Sequence, residues 1–264
     1  RQMCIRDSFE AIKQTIREIP RRRSLIKWGL ENVSSLIFSS NFVKTHTIEN
    51  LKLETDRNST IVFPSIKIPK KTKRCTNDKI ITYFGHFRPK RGVIDLIHAF
   101  AKIAKEFQDV KLMLSISNYH EFFGNITFEY CKQFLEKNDI AHRVIWKGVV
   151  KDIYSEILFP SSIIVLPQRE PSIKILESMA TGKPVITTKT WWTPEIIVEG
   201  KNGFLVEFGN IDEIVNKIGL LLSDIKFAEI IGCNAYKTVN KKCNASKTIK
   251  NIIDVMYKAT HNRS

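Results

Sequence analysis

The apolar residues of the chain form two alternating patterns. Short apolar runs, typical of buried strands, occupy residues 80–84, 110–116, 144–148 and 162–166, and segments with apolar residues at helical spacing lie between them. The clearest helical stripe follows the first of these runs and consists of Val93, Leu96, Ile97, Phe100 and Ile103. Strands alternating with helices over residues 80–206 predict an α/β domain with a doubly wound parallel sheet. In such sheets, ligands bind beyond the carboxyl ends of the strands.

The most informative stretch begins at the run 162–166 and continues as a polar turn, a helical segment and a second apolar run from Val185. Ser172 is the predicted N-cap of the helix, and Ile173, Leu176 and Ala180, with Ile175 as a further candidate, are predicted to face inward. The first amides of such a helix, together with its dipole, would form a site for an anion such as a diphosphate.

Two acidic residues flank this predicted anion site. Glu170 lies seven positions before Glu177, which corresponds to two helical turns, so both carboxylates can face one crevice. Carboxylates suit hydroxyl groups better than phosphates, and a ribose and a hexose joined by a diphosphate carry such hydroxyls. The alternative interpretation is a pair of solvated glutamates beside an ordinary strand-helix-strand unit.

Composition narrows the class of protein further. The chain has 264 residues, of which 43% are hydrophobic, and it has no apolar stretch of the ~18 to 20 residues that a membrane span needs. Its five cysteines are scattered without a CxxC pair, which favours a reducing compartment and no structural zinc. Of the net charge of +15, residues 1–75 carry +9. This excess suits anionic lipids, nucleic acid or phosphorylated substrates, or reflects only a biased genome composition.

Residues 170–186, EPSIKILESMATGKPVI, resemble the donor-binding motif of retaining glycosyltransferases of the GT-B fold, glycosyltransferase family 4. In that family the two acids are usually one residue further apart. Residues 85–92, GHFRPKRG, resemble the first strand-to-helix loop of the family's donor domain, with His86 where the family usually has arginine and Arg91 where it usually has lysine. Residues 194–196 (PEI) and 202–206 (NGFLV) also match family segments, whereas Trp191 and Trp192 replace a loop that is often glycine-rich.

The resemblance implies transfer of a sugar, with retention of configuration, from a nucleotide-diphosphate sugar to a saccharide or lipid-linked acceptor. Glu177 would hold the ribose and Glu170 the sugar, with Glu170 and Arg91 as catalytic residues. Gly85 would let the chain turn, Arg91 and Arg88 would bind the diphosphate, and the amides near Ser172 and Ile173 would complete the site. His86 lacks a full positive charge near neutral pH, and Arg88 or Lys90 would compensate for it. No metal or other cofactor is expected, because cations take that role and no Asp-x-Asp site is present.

The same resemblance sets the expected domain organisation. Residues 1–8 are expected to be a non-native leader of a truncated chain, 9–66 the remnant of an acceptor-side α/β domain, 67–78 a basic linker and 79–245 the donor-binding domain. The helix in residues 246–264 is expected to cross back to the first domain through Ile249, Ile252, Ile253 and Met256. The expected location is the cytoplasm. A basic helix from residue 21 would either dock on the anionic inner face of a membrane or bury Trp28 in a core.

Several local features and alternatives stay open. Asp152 is the predicted cap of a short helix, residues 118–128 are predicted as a polar loop near the nucleobase, and residues 129–137 are predicted to be helical. The tryptophan pair would either stack on a sugar or pack internally. A nucleotide-sugar epimerase, a basic nucleic-acid-binding module and a non-catalytic domain are the competing functions. No nucleic-acid partner is expected, because the chain has no RNA-recognition motif or zinc finger and its lysines are dispersed.

Overall fold

The structure, a computed structural model, describes residues 20–33, 35–53, 59–69, 78–116 and 122–261. The chain divides into two compact units. One contains the residues up to Phe63 together with those from Ile249 onward, and the other is Pro64–Thr248. The expected leader, residues 9–19 and residues 70–77 of the expected linker lie outside the described residues.

The described residues of the first unit form two helices and two short strands before Phe63. In chain order they are α1 (Pro20–Glu31), β1 (Leu36–Phe38), α2 (Asn41–Leu51) and β2 (Ser59–Ile61). Strands β1 and β2 pair in parallel. The hydroxyl of Ser40 accepts a hydrogen bond from the Val43 amide at 3.1 Å, so Ser40 caps α2.

Two expectations for this unit need correction. The sequence pattern of residues 61–64 predicts a strand there, but the observed strand pairs earlier, over Ser59–Ile61, because its register is set against β1. Trp28 is 63% exposed and Leu25 is 66% exposed. The interpretation of Trp28 as a core residue is therefore wrong.

The second unit carries the large sheet. Its strands are β3 (Ile80–Gly85), β4 (Lys111–Ile116), β5 (Val144–Lys147), β6 (Ile163–Leu166), β7 (Val185–Thr188) and β8 (Phe204–Val206). Its helices are α3 (Val93–Glu106), α4 (Phe122–Lys137), α5 (Lys174–Met179), α6 (Thr193–Ile196), α7 (Ile211–Ser223), α8 (Ile225–Lys242) and the start of α9 (Ala245–His261), with a π-helical turn at Tyr154–Leu158.

All six strands of this sheet are parallel, in the order β5-β4-β3-β6-β7-β8. The chain winds outward from β3 in one direction and from β6 in the other. Right-handed crossovers in opposite directions place helices on opposite faces, so the order is that of a doubly wound sheet and confirms the predicted fold class. The strand order reverses between β3 and β6, and a crevice forms at such a reversal, beyond the carboxyl ends of the strands.

Helix α3 shows how sequence pattern and packing agree. Its predicted stripe of Val93, Leu96, Ile97, Phe100 and Ile103 is completely buried. The helix packs against α7, and α5 packs against α8. Burying five apolar side chains of this size stabilises the unit by about 1.5–3 kcal/mol each before conformational entropy is counted.

Helix α4 begins earlier than the sequence predicted. Residues 118–128 were expected to form a loop, but the helix already begins at Phe122. Thr127, Cys131 and Leu135 lie on its buried side at successive spacings of four residues. The buried threonine continues an apolar stripe that the polar composition concealed. Residues 117–121 lie outside the described part of the chain, so the expected contact with a nucleobase stays a prediction.

The amino edge of the sheet is closed by polar side chains that bind backbone groups. Arg143, almost completely buried, donates from Nε to the Val110 carbonyl at 3.1 Å, from Nη1 to the Ala104 carbonyl at 2.7 Å and from Nη2 to the Phe107 carbonyl. Asn202, just before β8, accepts from the Val198 amide at 2.7 Å.

The same amide side chain of Asn202 donates to the Ile196 carbonyl at 3.0 Å and to the Thr238 hydroxyl at 2.9 Å. A Cβ at Gly232 on α8 would lie 2.0 Å from the Gly182 carbonyl oxygen, so only glycine allows this close approach. At the amino edge, the polar side chains of Arg143 and Asn202 therefore find their hydrogen-bond partners within the protein.

Helix α9 exposes much of its predicted apolar stripe. Ile249, Ile253 and Met256 are 54%, 57% and 60% exposed. The expected return of this helix to the first domain stays a prediction. Within the described ranges, every helix falls short of the length and apolar character that a membrane crossing requires.

Candidate functional site

The loop after β3 touches the loop after β6 at the strand-order reversal. Gly92 has a φ of +69°, a conformation that favours glycine, and a Cβ at this position would lie 1.9 Å from the Pro167 carbonyl oxygen. The Arg169 amide also donates to the Lys90 carbonyl at 2.9 Å. Segments that are distant in sequence therefore form one continuous backbone surface at the carboxyl edge.

Arg91 links the same two loops through its side chain. Its Nη1 donates to Gln168 Oε1 at 3.2 Å and to the Glu170 carbonyl at 3.1 Å. The side chain is half-buried. Over the described ranges, neither Nε nor Nη2 of this guanidinium has a hydrogen-bond acceptor. Arg91 is thus anchored by one nitrogen and keeps donors for a ligand.

Gln168 organises the loop after β6, a role that sequence analysis missed. It is buried, accepts from Arg91, and donates from Nε2 to the Ser172 hydroxyl at 3.1 Å. The Thr188 hydroxyl at the end of β7 donates to the Gln168 carbonyl. A polar residue directly after a buried strand and a proline is the signal that could have indicated this role.

Helix α5 starts differently from the prediction. Ser172 is not its side-chain N-cap, because the Ser172 hydroxyl accepts from Gln168 instead. The cap position is Ile173, without a side-chain bond, and the Ser172 carbonyl accepts from the Ile175 amide at 3.1 Å. Ile175, Leu176 and Ala180 are buried, whereas Ile173 is only half-buried and does not form part of the fully buried face.

The backbone amides before α5 nevertheless match the expected anion site. Among the described residues, the amides of Ser172 and Ile173 have no protein acceptor. They follow the loop that Arg91 holds through the Glu170 carbonyl. Available amides next to an available guanidinium are the donor set that a phosphate group prefers.

The two predicted acids lie at different points around this surface. Glu170 is half-buried, and its backbone is fixed by Arg91. Glu177 is half-buried on α5, where burial, then its negative charge, then that of Asp152 raise the pKa of Tyr154. Glu177 is therefore close to Tyr154. A crevice shared by the two acids stays a prediction.

The remaining predicted residues lie on the β3–α3 loop. Gly85 ends β3 with a φ of +153°. The His86 carbonyl accepts from the Tyr83 hydroxyl at 2.8 Å, and its imidazole is half-buried. Arg88 and Lys90 are exposed. The structure thus joins Arg91 to the loop before α5 through direct contacts and places Gly85 at the start of the loop that carries Arg91. The roles of His86 and Arg88 stay predictions.

The tryptophan pair follows β7 at the same edge of the sheet. Trp191 adopts a φ of +49°, which is unusual for a residue with a bulky side chain, and both tryptophans are half-buried. The following turn is fixed by the Thr193 hydroxyl, which donates to the Thr188 carbonyl at 2.7 Å. Stacking of the pair on a sugar stays a prediction.

The six-stranded parallel sheet with helices on both faces has the architecture of GT-B glycosyltransferase structures. Comparison of sequences identifies the family. Residues 65–238 match the family described as glycosyl transferases group 1, and the chain belongs to that family.

Individual relatives agree with this assignment. The chain is 26% identical over 249 residues to the N-acetyl-alpha-D-glucosaminyl L-malate synthase of Bacillus anthracis, covering 90% of this chain and 63% of the relative. It is 29% identical over 243 residues to the capsular polysaccharide biosynthesis glycosyltransferase CapM of Staphylococcus aureus, covering 86% and 59%. The chain therefore spans about three fifths of the length of these relatives.

Solved structures share the fold at low identity. A glycosyltransferase from Rickettsia africae superposes with a TM-score of 0.76 at 21% identity, covering 89% of this chain and 67% of that one. Anabaena HepE in complex with UDP and glucose gives a TM-score of 0.72 at 20% identity, covering 85% and 63%. These similarities establish the architecture alone.

Proposed function

We propose that this chain forms the donor-binding part of an enzyme that transfers a sugar from a nucleoside-diphosphate sugar to an acceptor hydroxyl with retention of configuration. Membership of the glycosyl transferases group 1 family supports transfer of a sugar. The observation that carries the proposal is the arrangement of Arg91, anchored by Gln168 and the Glu170 carbonyl, beside the available amides of Ser172 and Ile173.

The chemistry follows from where charge develops. The bond between the anomeric carbon and the diphosphate oxygen breaks, and its electron pair stays on the diphosphate. The acceptor oxygen forms the new bond to that carbon, on the face that the diphosphate leaves, and releases its proton. The guanidinium of Arg91 and the two amides stabilise the departing negative charge.

The acids have separate roles in this proposal. Glu177 binds ribose hydroxyls, and Glu170 binds hydroxyls of the transferred sugar. Arg88, exposed on the same loop as Arg91, contributes to the attraction of the diphosphate, and His86 lines the site. The acceptor is a saccharide or a lipid-linked saccharide. The basic helix α1, with Trp28 exposed, is proposed as a contact for an anionic membrane surface.

No metal is required in this proposal, because cationic side chains and amides bind the diphosphate. Among the described residues, no three His, Cys, Asp or Glu side chains are grouped so as to hold a metal ion. The proposed location is the cytoplasm.

The test is a binding screen with UDP, GDP and ADP against the wild-type chain. Arg91→Ala should lower the affinity for whichever nucleotide binds by about 10- to 100-fold, since a hydrogen bond to a charged group contributes about 1.5–3 kcal/mol. Glu177→Ala should weaken both the nucleoside and the nucleoside diphosphate. Lys105→Ala and Glu136→Ala, at exposed positions on α3 and α4, serve as matched controls.

Failure of all three nucleotides to bind, or undiminished binding by both site variants, would contradict the proposed site. Product analysis with a radiolabelled nucleotide sugar, supplied with candidate acceptors, separates transfer from epimerisation. Label retained on a free nucleotide sugar of altered configuration would identify an epimerase instead.

A further inference from the structure

A second cation, unassigned by the sequence motifs, reaches the end of β3 from α5. Lys174 is the first residue of α5 and is half-buried. Its Nζ lies 3.1 Å from the place that a Cβ on Gly85 would occupy. The same Nζ lies 5.5 Å from the centre of the Phe84 ring, which is buried in β3. Lys174 therefore extends across the strand-order reversal toward the loop that carries Arg91.

The Tyr83 hydroxyl relates Lys174 to Arg91. It lies 3.5 Å from the same hypothetical Cβ and donates to the His86 carbonyl. Burial raises the pKa of Tyr83, and the positive charge of Arg91 partly opposes that rise. Arg91 in turn donates to the Glu170 carbonyl, and Glu170 lies four residues before Lys174 in the chain, so both cations adjoin the same loop.

We propose that Lys174 is the second cation of the diphosphate site and supplies, from α5, the positive charge that an arginine in place of His86 would supply from the β3–α3 loop. This inference rests on the proposed function and deepens it. A diphosphate spreads its negative charge over several oxygens, so one guanidinium and one ammonium on different sides of it neutralise it better than either cation alone.

The position of Lys174 on its helix supports a ligand role. Its aliphatic stem and the Phe84 ring direct the ammonium toward the carboxyl edge of the sheet. The absence of a side chain at Gly85 leaves room beside the ammonium, and any larger residue there would occupy that space.

The experiment compares a nucleoside diphosphate with its nucleoside. UDP and uridine, GDP and guanosine, and ADP and adenosine are titrated against the wild-type 264-residue chain and against Lys174→Met, Lys174→Arg and the control Lys105→Met. Lys174→Met should lower the affinity for the nucleoside diphosphate by roughly 10-fold or more and the affinity for the nucleoside by less than about 2-fold, because only the charged contact is lost. Lys174→Arg should stay within about 3-fold of the wild type, because it keeps the charge.

A double variant tests the relation to His86. Adding His86→Arg to Lys174→Met should restore much of the lost diphosphate affinity, while adding the same change to the control Lys105→Met should not produce a comparable gain. If Lys174→Met unfolds, Lys174→Gln and Lys174→Arg provide the comparison, with circular dichroism as the check on folding.

The outcomes separate this inference from the proposed function. Suppose that the wild type binds a nucleoside diphosphate, that Arg91→Ala abolishes this binding and that Lys174→Met leaves it unchanged. The inference about Lys174 is then wrong, and the proposed function stands. If no nucleoside diphosphate binds the wild type, both fail together. Equal losses for the diphosphate and the nucleoside in Lys174→Met would indicate a purely structural lysine and overturn the inference.

Discussion

The two edges of the large sheet use an arginine in opposite ways. At the amino edge, Arg143 is almost completely buried and donates from all three of its nitrogens to backbone carbonyls. At the carboxyl edge, Arg91 is half-buried and anchored by Nη1 alone. The same side chain therefore stabilises the fold where its donors are satisfied and is available to a ligand where they are not.

The neighbouring contacts repeat this difference. Each edge has a glycine pressed against a carbonyl, Gly232 on Gly182 and Gly92 on Pro167, and each has a buried amide side chain, Asn202 and Gln168. At the amino edge these groups contact the backbone and, through Asn202, the Thr238 hydroxyl. At the carboxyl edge the corresponding groups, the Gly92–Pro167 contact and Gln168, position the cation of Arg91. Similar local packing can therefore serve stability alone or support a binding surface.

The largest effect should come from Arg143→Met. Removing the guanidinium takes three hydrogen bonds away from backbone carbonyls, and we expect a loss of about 3–4 kcal/mol in the free energy of unfolding, at about 1 kcal/mol or more for each. Urea denaturation measures it. Arg91→Met is the matched variant. It removes a donor from Gln168 and the Glu170 carbonyl and should lower the free energy of unfolding by about 1–2 kcal/mol, less than Arg143→Met, while greatly weakening nucleotide binding. The reverse assignment of effects would break the comparison between the edges.

Gly92→Ala and Gly232→Ala should follow in size. The new Cβ would overlap a carbonyl oxygen in each variant, and Gly92 would in addition force alanine into a left-handed conformation. We expect destabilisation by about 2–4 kcal/mol for both. Only Gly92→Ala should also weaken nucleotide binding by the molecules that remain folded, as measured by calorimetry below the unfolding temperature. Equal binding by the two variants would count against a role for the Gly92 contact in the site.

Gln168→Met and Asn202→Leu should have intermediate effects on stability. Each replaces a buried amide and leaves its partners unsatisfied, for an expected loss of about 1–3 kcal/mol. Gln168→Met should also weaken nucleotide binding by roughly 5-fold, because Arg91 loses one of its two anchors. Unchanged binding in Gln168→Met, together with the expected loss of stability, would show that the Glu170 carbonyl alone suffices to hold Arg91.

The smallest expected effect is the pH dependence of the free energy of unfolding that comes from Asp152. Unlike the two arginines, this residue changes its charge in the acidic pH range. Hydrogen bonds from the Ser155 hydroxyl and then the Tyr154 amide lower the pKa of Asp152. Because the folded pKa lies below the unfolded value of about 3.9, this contribution is present above that pH and is lost as the pH falls through the folded pKa. The small stability difference between the wild type and Asp152→Asn should therefore shrink between pH 7 and pH 3. A difference that is independent of pH would exclude this cause.

Sequence pattern predicted most of the fold because the buried strands and α3 carry clear periodicity. It also placed Asp152 correctly, since this residue accepts from the Tyr154 and Ser155 amides at 3.1 and 3.3 Å. Prediction failed where tertiary contacts outweighed local preference. Ser172 has the chemistry of a cap, but the buried Gln168 takes its hydroxyl, and a polar composition concealed the first turns of α4.

The site was predictable only in part for the same reason. Arg91 could be proposed from its place in a motif, whereas its anchors, Gln168 and the Glu170 carbonyl, lie 77 and 79 residues away along the chain. Lys174 was overlooked because nothing local in the sequence indicates which way a half-buried side chain on a short helix extends. Contacts between loops depend on strand order, and the hydrophobic periodicity of a single segment does not predict which strands are neighbours.

The contact between Gly92 and Pro167 has a consequence for motion. The Arg169 amide also donates to the Lys90 carbonyl beside this contact. Neither loop can therefore move away from the other without breaking backbone contacts between them. Hydrogen exchange at the Arg91 and Arg169 amides should therefore proceed through one shared opening, at a common rate. A ligand seated on either loop would then slow exchange in both.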